Sequence, residues 1–215
     1  MRDRERVAGR GSLPLGVILA GGASRRFGSA KALAEVGGVT IVERVRAALA
    51  AVLPEVRIIA NEPHLFAELD LPVRPDLLPG AGPMAGVQAA LAWAAEEGRP
   101  GALCMGCDLP FVSPALLRAL LDRAEETGAE VVVPESRGRR GVEPLCAFYS
   151  VACRPAVDAL LRAGERGMTA LLDSSRVDRL PLAEVLQYGD PDVLFLNVNT
   201  PRELETAALL AAEHA

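Results

Sequence analysis

The feature that most constrains this chain is the regular exchange of short apolar runs for segments of helical periodicity. Leu15 to Ala20 is an apolar run that stops at Gly21 and Gly22, so it reads as a buried strand breaking into a loop. Thr40 to Val52 carries a helical pattern and stops before Pro54, and Val56 to Ala60 is a second strand. Met84 to Glu97 reads as a helix, and Gly101 to Gly106 as a third buried strand. Ser113 and Pro114 supply a cap and a first helical position for a helix running to about Thr127. Glu130 to Pro134 and Leu145 to Ser150 follow as strands, and a capping box at Thr200 and Glu203, with Pro201 between them, opens a closing helix. Strands alternating with helices of this length predict an α/β fold. The expected form is Rossmann-like, a mostly parallel sheet with helices on both faces and right-handed crossovers.

In such a sheet, ligands bind beyond the C-terminal ends of the strands, which directs attention to the residues after Ala20, Ala60 and Gly106. After the first strand, Gly21 and Gly22 remove side chains, so that backbone N–H groups can approach phosphate oxygens. Arg25, Arg26 and Lys31 bring three cations to the same loop, a set that suits a polyphosphate. The spacing is not that of a P-loop. After the third strand comes Asp108, followed by Leu109 and Pro110. A carboxylate beside a phosphate loop suits Mg²⁺, which takes one or two carboxylates plus phosphate oxygens and water. An Asp just before a proline is equally a turn residue, so both readings stand at this point.

Other features narrow the field. The 215 residues suit one domain at 13–215, preceded by a flexible, solvated tail at 1–12 in which Arg2, Arg4, Arg6 and Arg10 alternate with acids. That tail lacks the apolar stretch of a signal peptide, and no apolar run approaches a membrane span, so the expected location is cytoplasmic. A net charge of −5 with no basic stripe argues against a nucleic-acid partner. Cys104 and Cys107 form a C-x-x-C at the end of an apolar run, with no second pair to complete a zinc set, and read as buried thiols. Gly80 to Ala85 matches a dinucleotide-binding G-x-G-x-x-A, but no clean strand precedes it, and it reads as a tight loop feeding a helix. His64 and His214 lie away from the strand ends, which argues against a histidine-based triad. The Gly- and Arg-rich stretch from Ser136 to Val142 is the expected mobile loop, with Arg137, Arg139 and Arg140 available to an anionic substrate.

Four blocks in order resemble the MobA family, the molybdenum cofactor guanylyltransferases. They are the glycine- and arginine-bearing run from Leu19 to Lys31, Asp76 to Gly86, Cys107 to Phe111, and Leu196 to Pro201. The resemblance covers residues 15 to about 205. It implies transfer of GMP from GTP to molybdopterin, forming the guanine dinucleotide cofactor and pyrophosphate, with Mg²⁺ as cofactor. By the same resemblance, Leu19, Ala20 and Gly21 contact the nucleotide together with Gly22, and Lys31 holds the phosphates. Asn61 and Asp76 face the guanosine part, on base or ribose, and Asp108 binds the metal. Asn197 and Asn199 match residues near the active site. Lys31, Asp108, Arg25 and Arg26 form the expected catalytic set, with Lys31 and one of Arg25 or Arg26 on the leaving pyrophosphate, and cofactor-delivery or acceptor proteins are the implied protein partners. One position departs from the pattern: where many relatives carry Asp before the signature lysine, this chain has Ala30. Two alternatives therefore accompany the main expectation. The first is a cytidylyltransferase acting on molybdopterin or on a sugar or alcohol phosphate. The second is a nucleotide-binding paralogue without turnover.

Overall fold

The computed structural model describes residues 13–21 and 31–213. The expectations placed on the tail 1–12, on Gly22, Arg25, Arg26 and Ala30, and on His214 fall outside these residues. Strand β1 (Leu15–Leu19) is followed by a two-residue hairpin, β2 (Glu35–Val36) with β3 (Val39–Thr40). Then come α1 (Ile41–Ala50), β4 (Val56–Ile59), a 3₁₀ segment (Pro63–Leu69), β5 (Val73–Arg74), α2 (Pro83–Glu96) and β6 (Gly101–Gly106). The second half holds α3 (Pro114–Thr127), β7 (Val131–Pro134), β8 (Cys146–Ser150), α4 (Arg154–Arg162), α5 (Met168–Asp173) and β9 (Val177–Leu180). Two single-turn helices, α6 (Leu182–Val185) and α7 (Pro191–Leu194), lead to α8 (Pro201–Glu213).

Local chemistry explains the helix limits. Thr40 caps α1 through a reciprocal box with Glu43: the Glu43 N–H donates to Thr40 Oγ1 at 3.3 Å, and the Thr40 N–H donates to Glu43 Oε2 at 3.2 Å. Ser113 Oγ accepts from the Leu116 N–H at 3.2 Å, Pro114 occupies the first turn of α3, and Gly128 ends the helix in the left-handed region at φ 61°. At α8, Thr200 Oγ1 accepts from the Glu203 N–H as the sequence predicts. The return bond is displaced by one residue, because Glu203 Oε2 accepts from the Asn199 N–H at 2.7 Å. The last cap therefore also fixes the backbone of a candidate site residue.

Among the described residues the main sheet has seven strands in the order β5-β4-β1-β6-β8-β7-β9. β5, β4, β1 and β6 run parallel, and β9 is parallel to β7. β8 is antiparallel to both of its neighbours. The reason is chain length: β6 reaches β7 through α3, a crossover that leaves one place vacant. The short segment from Glu135 to Leu145 then returns the chain directly, without the helix a parallel strand requires. The mostly parallel expectation holds, with this one reversal.

Alternate residues of each strand enter opposite cores, as the period of two demands. Ile18, Leu103, Met105, Val132 and Phe148 pack under α1, α3 and α8, whereas Val17, Leu19, Cys104, Val131 and Tyr149 pack under α2, α4 and α5. Cys104 thus belongs to one core and Cys107 packs against the other, so the C-x-x-C spacing separates the thiols across the sheet. All four cysteines are free. Helix α2 is buried on nearly all sides, which its alanine-rich composition permits. No helix among the described residues is long and apolar enough to cross a membrane.

Candidate active site

The C-terminal ends of β1, β4 and β6 open into one cleft of about 250 Å³. Its lining includes Leu19, Ala20 and Gly21 at the end of β1, Lys31 before β2, Asn61 and Glu62 after β4, Gly106, Cys107 and Asp108 at the end of β6, and Asn199 before α8. Backbone bonds hold the three strand ends level. The Ala20 N–H donates to the Ile59 carbonyl at 2.9 Å, and the Cys107 N–H to the Leu19 carbonyl at 3.2 Å.

One wall is a charged cluster. Lys31 is only 7% exposed, and its Nζ donates to Asp108 Oδ2 at 2.8 Å and to Asn199 Oδ1. The lysine starts a turn locked to the head of α1: the Ala34 N–H bonds the Lys31 carbonyl, and the Val42 N–H bonds the Ala32 carbonyl. Asn199 arrives because the Val198 N–H donates to the Asp108 carbonyl at 3.0 Å, stitching the C-terminal segment to the loop after β6. The other carboxylate oxygen, Asp108 Oδ1, is buried without a hydrogen-bond partner among the described residues. It lies against Gly106, where a Cβ would come within 2.7 Å of it.

The facing wall is an acid–amide cluster without a cation among the described residues. Asn61 Nδ2 donates to Asp76 Oδ2 at 2.9 Å, and the Asp76 N–H donates back to Asn61 Oδ1 at 3.1 Å, so the amide clasps the acid at both ends. Asp76 Oδ1 is buried and has no hydrogen-bond partner among the described residues. Burial raises the Asp76 pKa above the ordinary aspartate value, and the Asn61 hydrogen bond offsets part of that rise. This carboxylate also sits against glycines. A Cβ on Gly21 would approach its Oδ2 to 2.9 Å, and one on Gly86, in the first turn of α2, would lie 3.7 Å from its Oδ1. Gly82, at φ 78°, lets the loop after Asp76 turn into Pro83 at the head of α2, so the G-x-G-x-x-A match is a tight loop and helix start.

The structure thus brings Leu19, Ala20, Gly21, Lys31, Asn61, Asp108 and Asn199 to one cleft, with Asp76 fixed to Asn61 at its edge. It does not bring Asn197 there. That side chain turns back to donate to the Phe195 carbonyl at 3.1 Å, and it acts on the shape of the segment that delivers Asn199. His64 is exposed in the 3₁₀ segment. The Ser136 to Val142 stretch, expected to be mobile, forms a closed turn. The Ser136 N–H bonds the Gly141 carbonyl at 3.0 Å, Glu135 bridges Val142, and Arg137 pairs with Asp190 at 3.0 Å and Asp192 at 2.8 Å. Arg137 is therefore engaged at the cap of α7, which leaves Arg139 and Arg140 as the cations of that turn that could meet an anion.

Sequence reasoning missed Glu143, two residues before Leu145, which lines the cleft. Burial pushes its carboxyl up to about 7, and the charge of Asp108 adds to the rise, while the Leu145 N–H and Arg140 oppose it. Its only sequence signal is an acid directly before Pro144 at the start of a strand, too common a pattern to single out. Leu65 and Phe66 also line the cleft from the 3₁₀ segment.

Among the described residues no three His, Cys, Asp or Glu side chains gather into a closed metal cage. The charged cluster instead offers a hard-cation half-site. It has one carboxylate with an orphan oxygen, one amide oxygen, and an open cleft for phosphate and water. This set of oxygen donors suits a hard divalent cation.

Comparison with known proteins identifies the family and the fold. The family model of the MobA-like NTP transferase domain matches residues 16–180. The probable molybdenum cofactor guanylyltransferase of Pelotomaculum thermopropionicum is 39% identical over 196 residues, covering 91% of this chain and 92% of that protein. The molybdenum cofactor guanylyltransferase of Desulfosudis oleivorans is 36% identical over 194 residues, covering 89% and 93%. Among solved structures, molybdopterin-guanine dinucleotide biosynthesis protein A from Archaeoglobus fulgidus shares the fold, with a TM-score of 0.77 at 24% identity over 93% of this chain and 99% of that one. Rv0371c from Mycobacterium tuberculosis, solved in complex with manganese, shares it at a TM-score of 0.64 and 20% identity, covering 92% and 98%. With a transferase domain matched from the first strand to the last, and relatives of this identity along nearly the whole length, the chain belongs to the MobA-like NTP transferases.

Proposed function

We propose that this transferase moves GMP from GTP onto the terminal phosphate of molybdopterin, releasing pyrophosphate and giving the guanine dinucleotide form of the molybdenum cofactor. The observation that carries the reading is the pairing of the two clusters across one cleft. Lys31, Asp108 and Asn199 suit phosphate and metal, and Asp76 clasped by Asn61 suits a neutral donor group. The names of the relatives point to the same reaction.

Asp108, with Asn199 beside it, would hold Mg²⁺, whose chemistry when bound is to polarise the α-phosphate and neutralise charge on the transferring group. Lys31 turns to the phosphates of the nucleotide as a compact point charge. Arg25 and Arg26 are assigned to the leaving pyrophosphate from their place in the loop. Gly21 and Gly22 keep the loop free of side chains where phosphate approaches. The attacking phosphate is already anionic near neutral pH, so no side chain has to remove a proton from it. Asp76 Oδ1 accepts from the nucleoside. Adjacent N1–H and N2–H groups of guanine match a carboxylate, and Asn61 holds that carboxylate in place. The enzyme works as one domain at 13–215 in the cytoplasm, and a delivery or acceptor protein for the finished cofactor is its expected partner.

Thermal unfolding with Mg²⁺ and each of GTP, CTP, ATP and UTP tests the reading. GTP should raise the melting temperature most, because a ligand at ~100 times its dissociation constant adds ~2.7 kcal/mol. Equal stabilisation by CTP, together with equal kcat/KM for the two nucleotides, would replace it with the cytidylyltransferase reading. Binding of GTP without pyrophosphate release on adding molybdopterin would replace it with the paralogue lacking turnover.

A further inference from the structure

We propose that in the nucleotide-free protein Lys31 keeps the divalent-cation position closed, so that the cation binds firmly only together with a polyphosphate. This rests on the reading of Asp108 as the metal-holding residue. The lysine ammonium lies on two oxygens that the cation would need, Asp108 Oδ2 at 2.8 Å and Asn199 Oδ1. Both partners of the ion pair are well covered, with side-chain exposures of 9% for Lys31 and 17% for Asp108.

A small dication seeks a carboxylate oxygen at ~2.1 Å. It cannot share Asp108 Oδ2 with an ammonium already 2.8 Å from that atom, because like charges at such spacing repel strongly where water is scarce. The ammonium has to leave first. Its backbone stays put, held by the turn that bonds Ala34 to Lys31 and Val42 to Ala32, and only the four-carbon stem can swing. If the cation arrives alone, the displaced ammonium loses a buried counter-charge and gains none. A triphosphate arriving at the same time supplies that counter-charge, a few ångströms away in the same cleft. The loss on one side is then made good on the other. By linkage the effect is reciprocal: cation raises affinity for nucleotide by the same factor as nucleotide raises affinity for cation.

The arrangement also explains the two faces of Asp108. Oδ2 is occupied by the internal cation, while Oδ1 is left without a partner against Gly106. Buried there, Oδ1 offers an arriving cation no open face, which leaves Oδ2 as the oxygen it would need.

The test is Mn²⁺ binding to the intact, nucleotide-free protein, followed by electron paramagnetic resonance of the free ion, in wild type and in Lys31→Met. Lys31→Gln serves as a second neutral variant should Met destabilise the fold, and thermal melts establish folding for each. The neutral variants should bind Mn²⁺ alone at least ~10-fold more tightly than wild type, within the usual span of coupling between sites. Adding Asp108→Asn to either variant should abolish the gain. Equal Mn²⁺ affinity in wild type and the folded neutral variant, or a gain that survives Asp108→Asn, overturns the proposal. The underlying metal assignment is judged separately, by water-proton relaxation of the Mn²⁺·GTP complex. If Asp108→Asn leaves the enhancement seen with wild type unchanged, that assignment fails whatever the lysine does.

Discussion

The two walls of the cleft use the same device to different ends. Each holds an aspartate against a glycine, with one carboxylate oxygen bonded and the other buried without a partner. Asp108 faces an ammonium, whereas the Asp76 carboxylate accepts only from the Asn61 amide among the described residues, its own N–H donating back to that amide. The first is therefore a charge-balanced pair ready to exchange one cation for another. The second is an acid whose own burial works against its ionisation until a donor arrives. On the proposed function, the contrast divides the labour of the site: the Asp108 side would deal with charge in the reaction, and the Asp76 side with recognition of a neutral group.

The sharpest way to break this comparison is Asp108→Asn. The amide still offers Lys31 an oxygen, so the fold should survive, but the charge that holds the cation is gone. Turnover, followed by pyrophosphate release, should fall ~10²–10³-fold, as when a key electrostatic contact is removed from a reacting centre. Near-normal turnover would show that the two aspartates do not differ as described.

Glu143 tests whether uncompensated burial is a general feature of this end of the sheet. Its carboxyl is raised from 4.5 to about 7, chiefly by burial. A raised acid keeps its proton in the folded state at pH values where the unfolded chain has lost it. Its cost to stability is therefore absent below pH 4.5 and grows as pH rises towards about 7. Glu143→Gln should match wild type in acid and exceed it at pH 8 by about 2 kcal/mol, a figure reduced from the full shift because the group is partly solvated. Parallel denaturant melts at the two pH values decide it, and a constant difference would remove Glu143 from the comparison.

Asp76→Ala sharpens the recognition side. If Oδ1 reads the guanine N–H pair, the preference for GTP over CTP in kcat/KM should fall ~10-fold, because an unmatched buried acceptor costs ~1–3 kcal/mol. An unchanged ratio with a raised KM for both nucleotides assigns the carboxylate to the ribose instead. Asp76→Asn adds a stability readout with the same sign logic. The raised carboxyl disfavours the native state as pH climbs above the usual aspartate range, so the variant should gain on wild type at neutral pH in the absence of nucleotide.

The smallest effects come from the glycines beneath the two acids. Gly106→Ala pushes on Asp108 Oδ1 and Gly21→Ala on Asp76 Oδ2, at 2.7 and 2.9 Å respectively. Each acid must shift by a few tenths of an ångström. Gly106→Ala should lower kcat and Gly21→Ala should raise the KM for GTP, each roughly 3- to 10-fold, given how steeply rate depends on placement. A swap of those two signatures in steady-state kinetics would invert the division of labour.

Much of the architecture was legible in the chain itself. The long elements declared themselves through signals that are local: apolar runs of strand length, the Ser113–Pro114 start, and the Thr200–Glu203 box. The residues after β1, β4 and β6 pointed to the cleft because a parallel sheet exposes those ends together. The helices α4, α5, α6 and α7 and the strands β2, β3, β5 and β9 escaped notice. Strands of two to four residues and the four-residue helices α6 and α7 are too short to show a periodicity, whereas α4, at nine residues, buries one face with Val157 and Leu161 and was legible in principle. The turn from Ser136 to Val142 reads as mobile from its Gly and Arg content, yet aspartates 53 and 55 residues downstream anchor Arg137.

What the sequence by itself determined was the fold class, the loop chemistry after the first strand and the identity of the acids, because these depend on neighbours along the chain. What only the tertiary structure decided was who meets whom. Lys31 reaches Asp108 across 77 positions and Asn199 across 168, whereas Asn197, two residues away, turns back to its own backbone. It also decided that β8 runs against the sheet, which carries Leu145 to the cleft and Glu143 within reach of the charge of Asp108. The strength of a buried carboxylate depends on what surrounds it in space, and that is set by packing rather than by the order of residues.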